Sequence, residues 1–303
     1  MSNVFNKGEL KVQQQLGVEA IAKQIGNMIG DKVIRGAVPF VEMQTIAVVS
    51  SVDSDKNVWI SLLVGDLGFT KVVNPGEVYF EIPQIHSTKN DIFYDNIKVT
   101  PKIGTLFIDL SNRRRIRING DVSLAKDKII VHVEETYPNC PKYIQQRDIE
   151  KSELNNELTV VQSSGVALTP SQKEWVQNAD TMFVGSAGLD GKLDASHRGG
   201  PKGFVEIVDK NLLKIPDYQG NNLYNTLGNF AENPKGGMLF IDFENKKTLQ
   251  LTGEVTTMDF KSKELEKSTG TGRFWYFKIN KWIEINNHHA IDWNFVSYSP
   301  FNP

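Results

Sequence analysis

The sequence predicts a mainly β protein in which one small Greek-key barrel occurs twice, with helices on its flanks. Three observations carry this. An ungapped internal repeat joins two stretches set about 133 residues apart. Short β-branched and apolar runs, punctuated by Gly, Asp and Asn turns, recur in both halves. Each half also offers one helix among several strands.

The repeat is explicit. NIKVTPKIGTLFIDLSNRRRIRINGDV from Asn96 aligns with NFAENPKGGMLFIDFENKKTLQLTGEV from Asn229, with 11 of 27 pairs identical, Pro101/Pro234, Asp109/Asp242 and Gly120/Gly253 among them. Upstream, Ser61 falls on Ser196, Phe69 on Phe204 and, with a one-residue shift, Ser50 on Ser186. So long a period excludes solenoids and propellers and means two whole domains of one fold. Over 303 residues that places one unit at 1–150 and the second at 151–303.

In chain order, Val18, Ile21, Ala22, Ile25, Met28 and Ile29 form one apolar face, which predicts an N-terminal amphipathic helix. Residues 46–52 and 182–187 read as strands followed by turns beginning at Asp53 and Leu189. Further strands fit 58–64, 69–73 and 78–82, with counterparts at 204–208 and 212–215. Between strands, DASHRGGPKGF (194–204) reads as a polar, glycine-rich loop. Leu223, Leu227, Phe230 and Ala231 recur at helical spacing with Pro234 just beyond, and a matching helix fits before Pro101. A strand pair follows in each half, turning at Ser111-Asn112 and at Glu244-Asn245. The polar stretch 151–164 is the best linker. Thr169 as N-cap, Pro170 at N1 and Gln172 at N3 start a helix. WYFKINKWIEI (275–285) reads as a strand pair, and YSPFNP (298–303) as irregular.

Composition narrows the function. Lys plus Arg is 34 and Asp plus Glu is 36, a net charge of −2, which argues against bulk electrostatic binding of nucleic acid or anionic membrane. No apolar run approaches the roughly 18 residues of a spanning helix, and the N-terminus has no apolar leader, so a cytoplasmic protein is expected. One cysteine, Cys140, excludes an internal disulfide and cysteine-based metal sites; its default reading is a small buried residue. His288 and His289 are adjacent, without metal-ligand spacing, so no metal is expected. Asp194, Ser196 and His197 do not make a triad, because strand neighbours face opposite ways. Trp275, Tyr276, Phe277 and Trp282 read as packing residues.

Both halves resemble the flavin-binding split barrel of pyridoxamine 5'-phosphate oxidase and its relatives. The order of parts carries the resemblance: strand, DASHRGGPKGF, strand, PDYQGNNLYNTLGNFAENP, strand, TLQLTGEV. The layout with FNKGELKVQQQLGV near the start and NCPKYIQQR before the linker is similar to a bacterial oxidase-related subfamily. In that family FMN lies between two barrels of a homodimer. The resemblance therefore implies two tandem split barrels forming an intramolecular pseudo-dimer.

It also implies candidate cofactor-binding residues: Ser196, His197, Arg198, Lys202, Asn221, Asn222, Asn225, Thr226, Arg115 and Arg117. Arg198 and Lys202 supply cations for a phosphate, with donors from the QGNN turn and the helix that follows. Where the family often has Ser-Arg-Lys on that helix, this chain has Tyr224, Asn225 and Thr226, so charge is missing there. Arg115 and Arg117 occupy the strand that in the family reaches the partner's flavin ring. The first half has Leu63 and Phe93 where the second has Arg198 and Thr226, which predicts one phosphate site rather than two. The implied function is an FMN-dependent oxidoreductase acting on a small molecule or on an electron donor such as NAD(P)H, with no catalytic acid or base assigned. True pyridoxamine 5'-phosphate oxidase activity is not expected, since no Arg follows Arg273. The alternatives are a non-catalytic flavin carrier or sensor, a deazaflavin or haem ligand, or a scaffold without cofactor. Further self-association is left open.

Overall fold

Helices α1 (Lys7–Gln15), α2 (Glu19–Gly26) and α3 (Val38–Glu42) precede the first sheet. That sheet holds β1 (Ile46–Val52), β2 (Val58–Val64), β3 (Thr70–Asn74), β4 (Glu77–Glu81), then α4 (Phe93–Val99), β5 (Lys102–Asp109), β6 (Arg114–Ala125) and β7 (Lys128–Pro138). After β8 (Gln146–Glu150), β9 (Val161–Gly165) and α5 (Pro170–Asn178) the pattern repeats. It runs β10 (Thr181–Ala187), β11 (Leu193–Gly199), β12 (Glu206–Asp209), β13 (Leu212–Pro216), α6 (Asn225–Glu232), β14 (Lys235–Asp242), β15 (Lys247–Asp259) and β16 (Phe274–Asn286), and β17 (Asp292–Ser297) closes the chain. This computed structural model describes residues 4–150 and 159–303.

Two antiparallel sheets share one topology. The first runs β2-β1-β5-β6-β7-β4-β3 and the second β11-β10-β14-β15-β16-β13-β12. Each sheet rolls up around its own core. In the first, Leu63 from one end of the strand order shares a cluster with Phe69, Phe80, Phe107 and Ile129, and Gly65 bridges to Ile85. The second encloses Met182, Leu213, Phe240, Trp275 and Phe277. The predicted packing role of Trp275, Phe277 and Trp282 is met, since all three are buried.

A third apolar layer joins the barrels. Ile46, Val48, Ile60, Leu62 and Leu106 meet Phe183, Ala195, Leu239 and Ile241. Strands β1, β2 and β10 are therefore buried at every position, and they read as continuous apolar runs because both faces are covered. Two glycines let the backbones close. A Cβ at Gly104 would lie 2.6 Å from the Leu193 carbonyl oxygen, and one at Gly237 would lie 2.8 Å from that of Val58. Leu193 and Val58 open the equivalent strands β11 and β2, so the contact is made twice about a pseudo-twofold axis. The two-stranded sheet β8–β17, drawn from the end of each half, is a further link between them.

Several expectations change. DASHRG forms β11 rather than a loop, because its outer face is sealed by the seam and its polar side chains find partners there. Register pairs Val49 with Ser61 and Val184 with Ser196, so the counterpart of Ser186 is Ser51, not Ser50. Asn96 donates to Ser51 and Asn229 to Ser186, each at 3.0 Å. Residues 274–286 make one long strand, not a pair; register shifts opposite Thr252/Gly253 and Val255/Thr257 absorb its bend. Of the linker, 151–158 lie outside the described residues, while Val161–Gly165 pairs with β16. The expected N-terminal helix is α2, which stops at Gly26, and a further helix, α1, precedes it: Ala22 is buried and Ile25 and Ile29 pack nearby, but Ile21 and Met28 are exposed. Only one edge of α2 docks, so a full apolar stripe is not used. The helix start at Thr169 forms the expected reciprocal cap with Gln172. Among the described residues no helix is long and apolar enough to cross a membrane.

Gly104→Ala should destabilise the protein by about 2 kcal/mol or more, since the new methyl meets backbone that cannot rotate away. Gly36→Ala, with nothing within 4 Å, should be close to neutral. Thermal unfolding of both variants checks this; equal melting temperatures would show that the seam has slack.

Candidate functional site

At the seam a pocket opens between β6, β11, the turn before α6 and the segment after β7. It is lined by Arg115, Arg117, Ser196, His197, Arg198, Asn221, Asn222, Asn225 and Thr226, together with Asn139, Cys140, Tyr143, Asp217, Tyr218 and Tyr224. Nine of the ten cofactor-binding candidates thus converge. Lys202 does not: it lines two other clefts beyond Pro201. The strand ends at Gly199, and the turn after it carries Lys202 away from the pocket.

Strand alternation sets the first layer. Arg117 on β6 reaches across the seam, where Nη2 donates to Ser196 Oγ at 2.6 Å and Nη1 to Asp194 Oδ1 at 3.1 Å and to the Tyr137 hydroxyl. Asp194 is in turn held by Asn119 Nδ2 (2.9 Å) and Asn229 Nδ2 (2.8 Å). Burial alone would lower the Arg117 pKa; Tyr137 and Asp194 outweigh it and hold the guanidinium firmly charged. Thr226 Oγ1 donates to Ser196 Oγ at 3.0 Å, which ties α6 to β11.

The other two guanidiniums are different. Arg115 donates only to the Cys140 carbonyl, Nε at 2.8 Å. Arg198 Nη1 donates to the His197 carbonyl at 3.2 Å, and its buried Nε has no partner. Neither forms an ion pair with a carboxylate among the described residues. Desolvation first, then repulsion from Arg198 and Arg117 for Arg115 and from Arg117 for Arg198, pushes both below the usual guanidinium range. His197 packs on Phe183 at 5.5 Å; burial first, then Arg115 and Arg198, drives its pKa far down, so it is neutral. The pocket therefore carries an excess of partly buried positive charge, which an entering anion would stabilise.

Helix α6 points its start at the same place. Tyr224, in the left-handed region at φ 61°, is the N-cap and offers no capping side chain, so the first amides remain available to an anion. Asn222 adopts a similar backbone, and Asn221 Oδ1 accepts from Leu223 N at 3.2 Å. Arg273 sits over the Tyr224 ring and is neutralised by Asp217 at 2.8 Å. The rings of Tyr143 and Tyr218, 4.9 Å apart, form an aromatic wall.

The pseudo-equivalent position is closed. There Gln250 replaces Arg117 and donates to Ser61 Oγ (2.8 Å) and Asp91 Oδ2 (2.9 Å). Leu63 and Phe93 belong to the first core. The segment after β16 caps the position, with Thr88 N donating to the His288 carbonyl at 3.1 Å and His288 Nε2 lying 3.6 Å from Asp91 Oδ2. The segment after β7, by contrast, lines the open pocket with Asn139–Tyr143. Sequence reasoning missed that segment: Cys140, expected to be buried, is half-buried and contributes its carbonyl. Only the fold brings NCPKY beside Arg198. Tyr218 was within reach, because it lies in the quoted PDYQGNN turn.

No family model matches the chain, and no curated protein does. Among solved structures it is similar to HupZ of Group A Streptococcus (TM-score 0.30, 16% identity, 37% of this chain and 90% of that one). It is also similar to a pyridoxamine 5'-phosphate oxidase-related, FMN-binding protein of Nostoc punctiforme (TM-score 0.24, 16% identity, 32% and 52%). A third is a pyridoxinephosphate oxidase-family protein of Clostridium acetobutylicum (TM-score 0.29, 16% identity, 42% and 92%).

Behind the pocket, Glu9 on α1 is buried and accepts from the Asn225 side chain and from Asn6 N (2.8 Å). Burial and the nearby Asp194 charge raise its pKa from 4.5 to about 8, despite the hydrogen bonds from Asn6 and Asn225. The folded state thus binds a proton more tightly than the unfolded chain. Its contribution is complete below pH 4.5 and is lost as pH rises towards 8. Glu9→Gln should remove that loss, so the stability difference between variant and wild type should grow in the variant's favour between pH 5 and 8. Denaturant unfolding at several pH values checks it; a pH-independent difference would contradict it.

Proposed function

We propose that the chain binds FMN at one site, in the pocket between its barrels, and acts as an FMN-dependent oxidoreductase on a small molecule. One observation carries the reading: Arg115 and Arg198 line the pocket half-buried, with no ion-paired carboxylate among the described residues, beside the uncapped start of α6. A dianionic phosphate supplies what they lack. Asn221, Asn222, Asn225 and Thr226 add neutral donors. Across the pocket Arg117, immobilised by Asp194 and Ser196, is a fixed cation suited to an electron-rich ring. Tyr143 and Tyr218 offer aromatic surface for a planar group.

Bound flavin supplies hydride transfer; the protein supplies position and charge. His197 is held neutral by burial, and the Tyr143, Tyr218 and Tyr224 hydroxyls are raised above their usual range by it. None of these four groups is poised to exchange a proton near neutral pH. The same fact favours the second reading, a flavin-carrying or sensing protein without turnover. Deazaflavin and haem are the alternative ligands, told apart by their spectra.

Titration of the purified protein with FMN, followed by quenching of flavin fluorescence, tests the proposal. The expected result is one FMN per chain, with Arg198→Gln weakening binding at least tenfold. Two equivalents, no binding, or equal affinity in the variant would overturn it. Bleaching of the bound flavin by NAD(P)H without oxygen separates an oxidoreductase from a carrier.

A further inference from the structure

A second groove adjoins the pocket. It runs between the chain after α2 and the far end of the β6–β7 hairpin, with Met28, Ile34, Phe40 and Ile116 among its apolar lining. Met28 is 55% and Ile34 68% exposed, unusual for large apolar side chains side by side. Arg115 and Asn139 line both this groove and the seam pocket, so the two meet at those residues. The Arg114 guanidinium lies over the Phe40 ring, 4.9 Å from its centroid. Arg114 has no carboxylate partner among the described residues, and neither has Arg115. An apolar floor bordered by the uncompensated Arg114 guanidinium matches a molecule with an apolar body and one anionic end.

We propose that this groove binds the protein's second ligand, a small amphipathic carboxylate. Its apolar body lies along Met28, Ile34 and Ile116, and its carboxylate meets Arg114, which lies on the Ile116 face of β6. The assignment of that ligand as the substrate rests on the FMN reading, because contiguity with the pocket at Arg115 is what brings it beside a flavin. The binding chemistry does not depend on it. An ionic hydrogen-bond donor beside an apolar trough discriminates a carboxylate from a neutral analogue, while the trough itself accepts either.

The probes are 2-naphthoate and the uncharged 2-naphthalenemethanol, followed by their intrinsic fluorescence with the full chain, with and without FMN. Naphthoate should bind at least tenfold more tightly than the alcohol. Arg114→Gln should remove most of that preference and leave alcohol binding unchanged. Ile34→Asp, at an exposed position that the fold tolerates, should abolish both. FMN affinity should be unaltered in either variant, since neither residue lines its pocket. Naphthoate binding insensitive to both variants, or displaced by FMN, would overturn the groove assignment. Naphthoate binding as expected in a protein that takes up no FMN would leave the groove assigned and overturn the flavin reading alone.

Discussion

The rest of the structure depends on how closely the two barrels approach. Gly104 faces the Leu193 carbonyl and Gly237 faces that of Val58 at distances no side chain could share. The closeness buries the outer faces of β1, β2, β10 and β11 along with their inner ones. It also brings β6 of the first half within hydrogen-bonding reach of β11 in the second. Were the seam wider by the thickness of a methyl group, Arg117 could not reach Ser196 and Asp194, and the pocket would lose its wall. The same two glycines that permit the packing therefore permit the site.

A pseudo-twofold seam creates two equivalent positions, and charge decides that they differ. At one, Arg117, Arg198 and Arg115 crowd together, while Asp194 is paired with Arg117 and Asp217 with Arg273. Such a cluster is costly unless an anion completes it. At the other, Gln250, Ser61 and Asp91 satisfy one another, Leu63 and Phe93 fill the core, and the chain around His288 closes over the top. That position has become packing. In a homodimer both positions must carry the same residues; duplication within one chain removes the constraint, and each position can settle at its own lowest free energy.

The polar layer around the pocket is continuous. Glu9 holds Asn225, Thr226 holds Ser196, Ser196 holds Arg117, and Arg117 holds Asp194, which Asn229 of α6 also grips. Helix α1, none of whose residues lines the pocket, thereby fixes the start of α6 from behind. A rigid frame of this kind presents donors that need no reorganisation when an anion arrives.

Much of this was legible in the sequence, because the repeat could be aligned and its two copies compared. Asn96/Asn229 and the strands of the hairpin pair followed directly, and the contrast of Leu63 with Arg198 and of Phe93 with Thr226 pointed to one open position. What failed were assignments that depend on burial of a second face. DASHRG looks like a loop because it is polar and rich in glycine, yet it is a strand, since its partners Arg117, Asn119 and Asn229 come from elsewhere in the chain. Ser50 was paired with Ser186 because alignment by identity cannot feel a pleat, whereas the register selects Ser51. Cys140 and Tyr143 carried no local signal, and their place is set by where β7 ends in space. Periodicity, turn chemistry and the repeat are local and survive in one dimension, so the sequence alone determined the duplication and most of the strands and helices within it. The seam, the displacement of Lys202 from the pocket and the unbalanced charge at Arg115 and Arg198 arise from contacts between residues far apart in the chain, and only the tertiary structure could decide them.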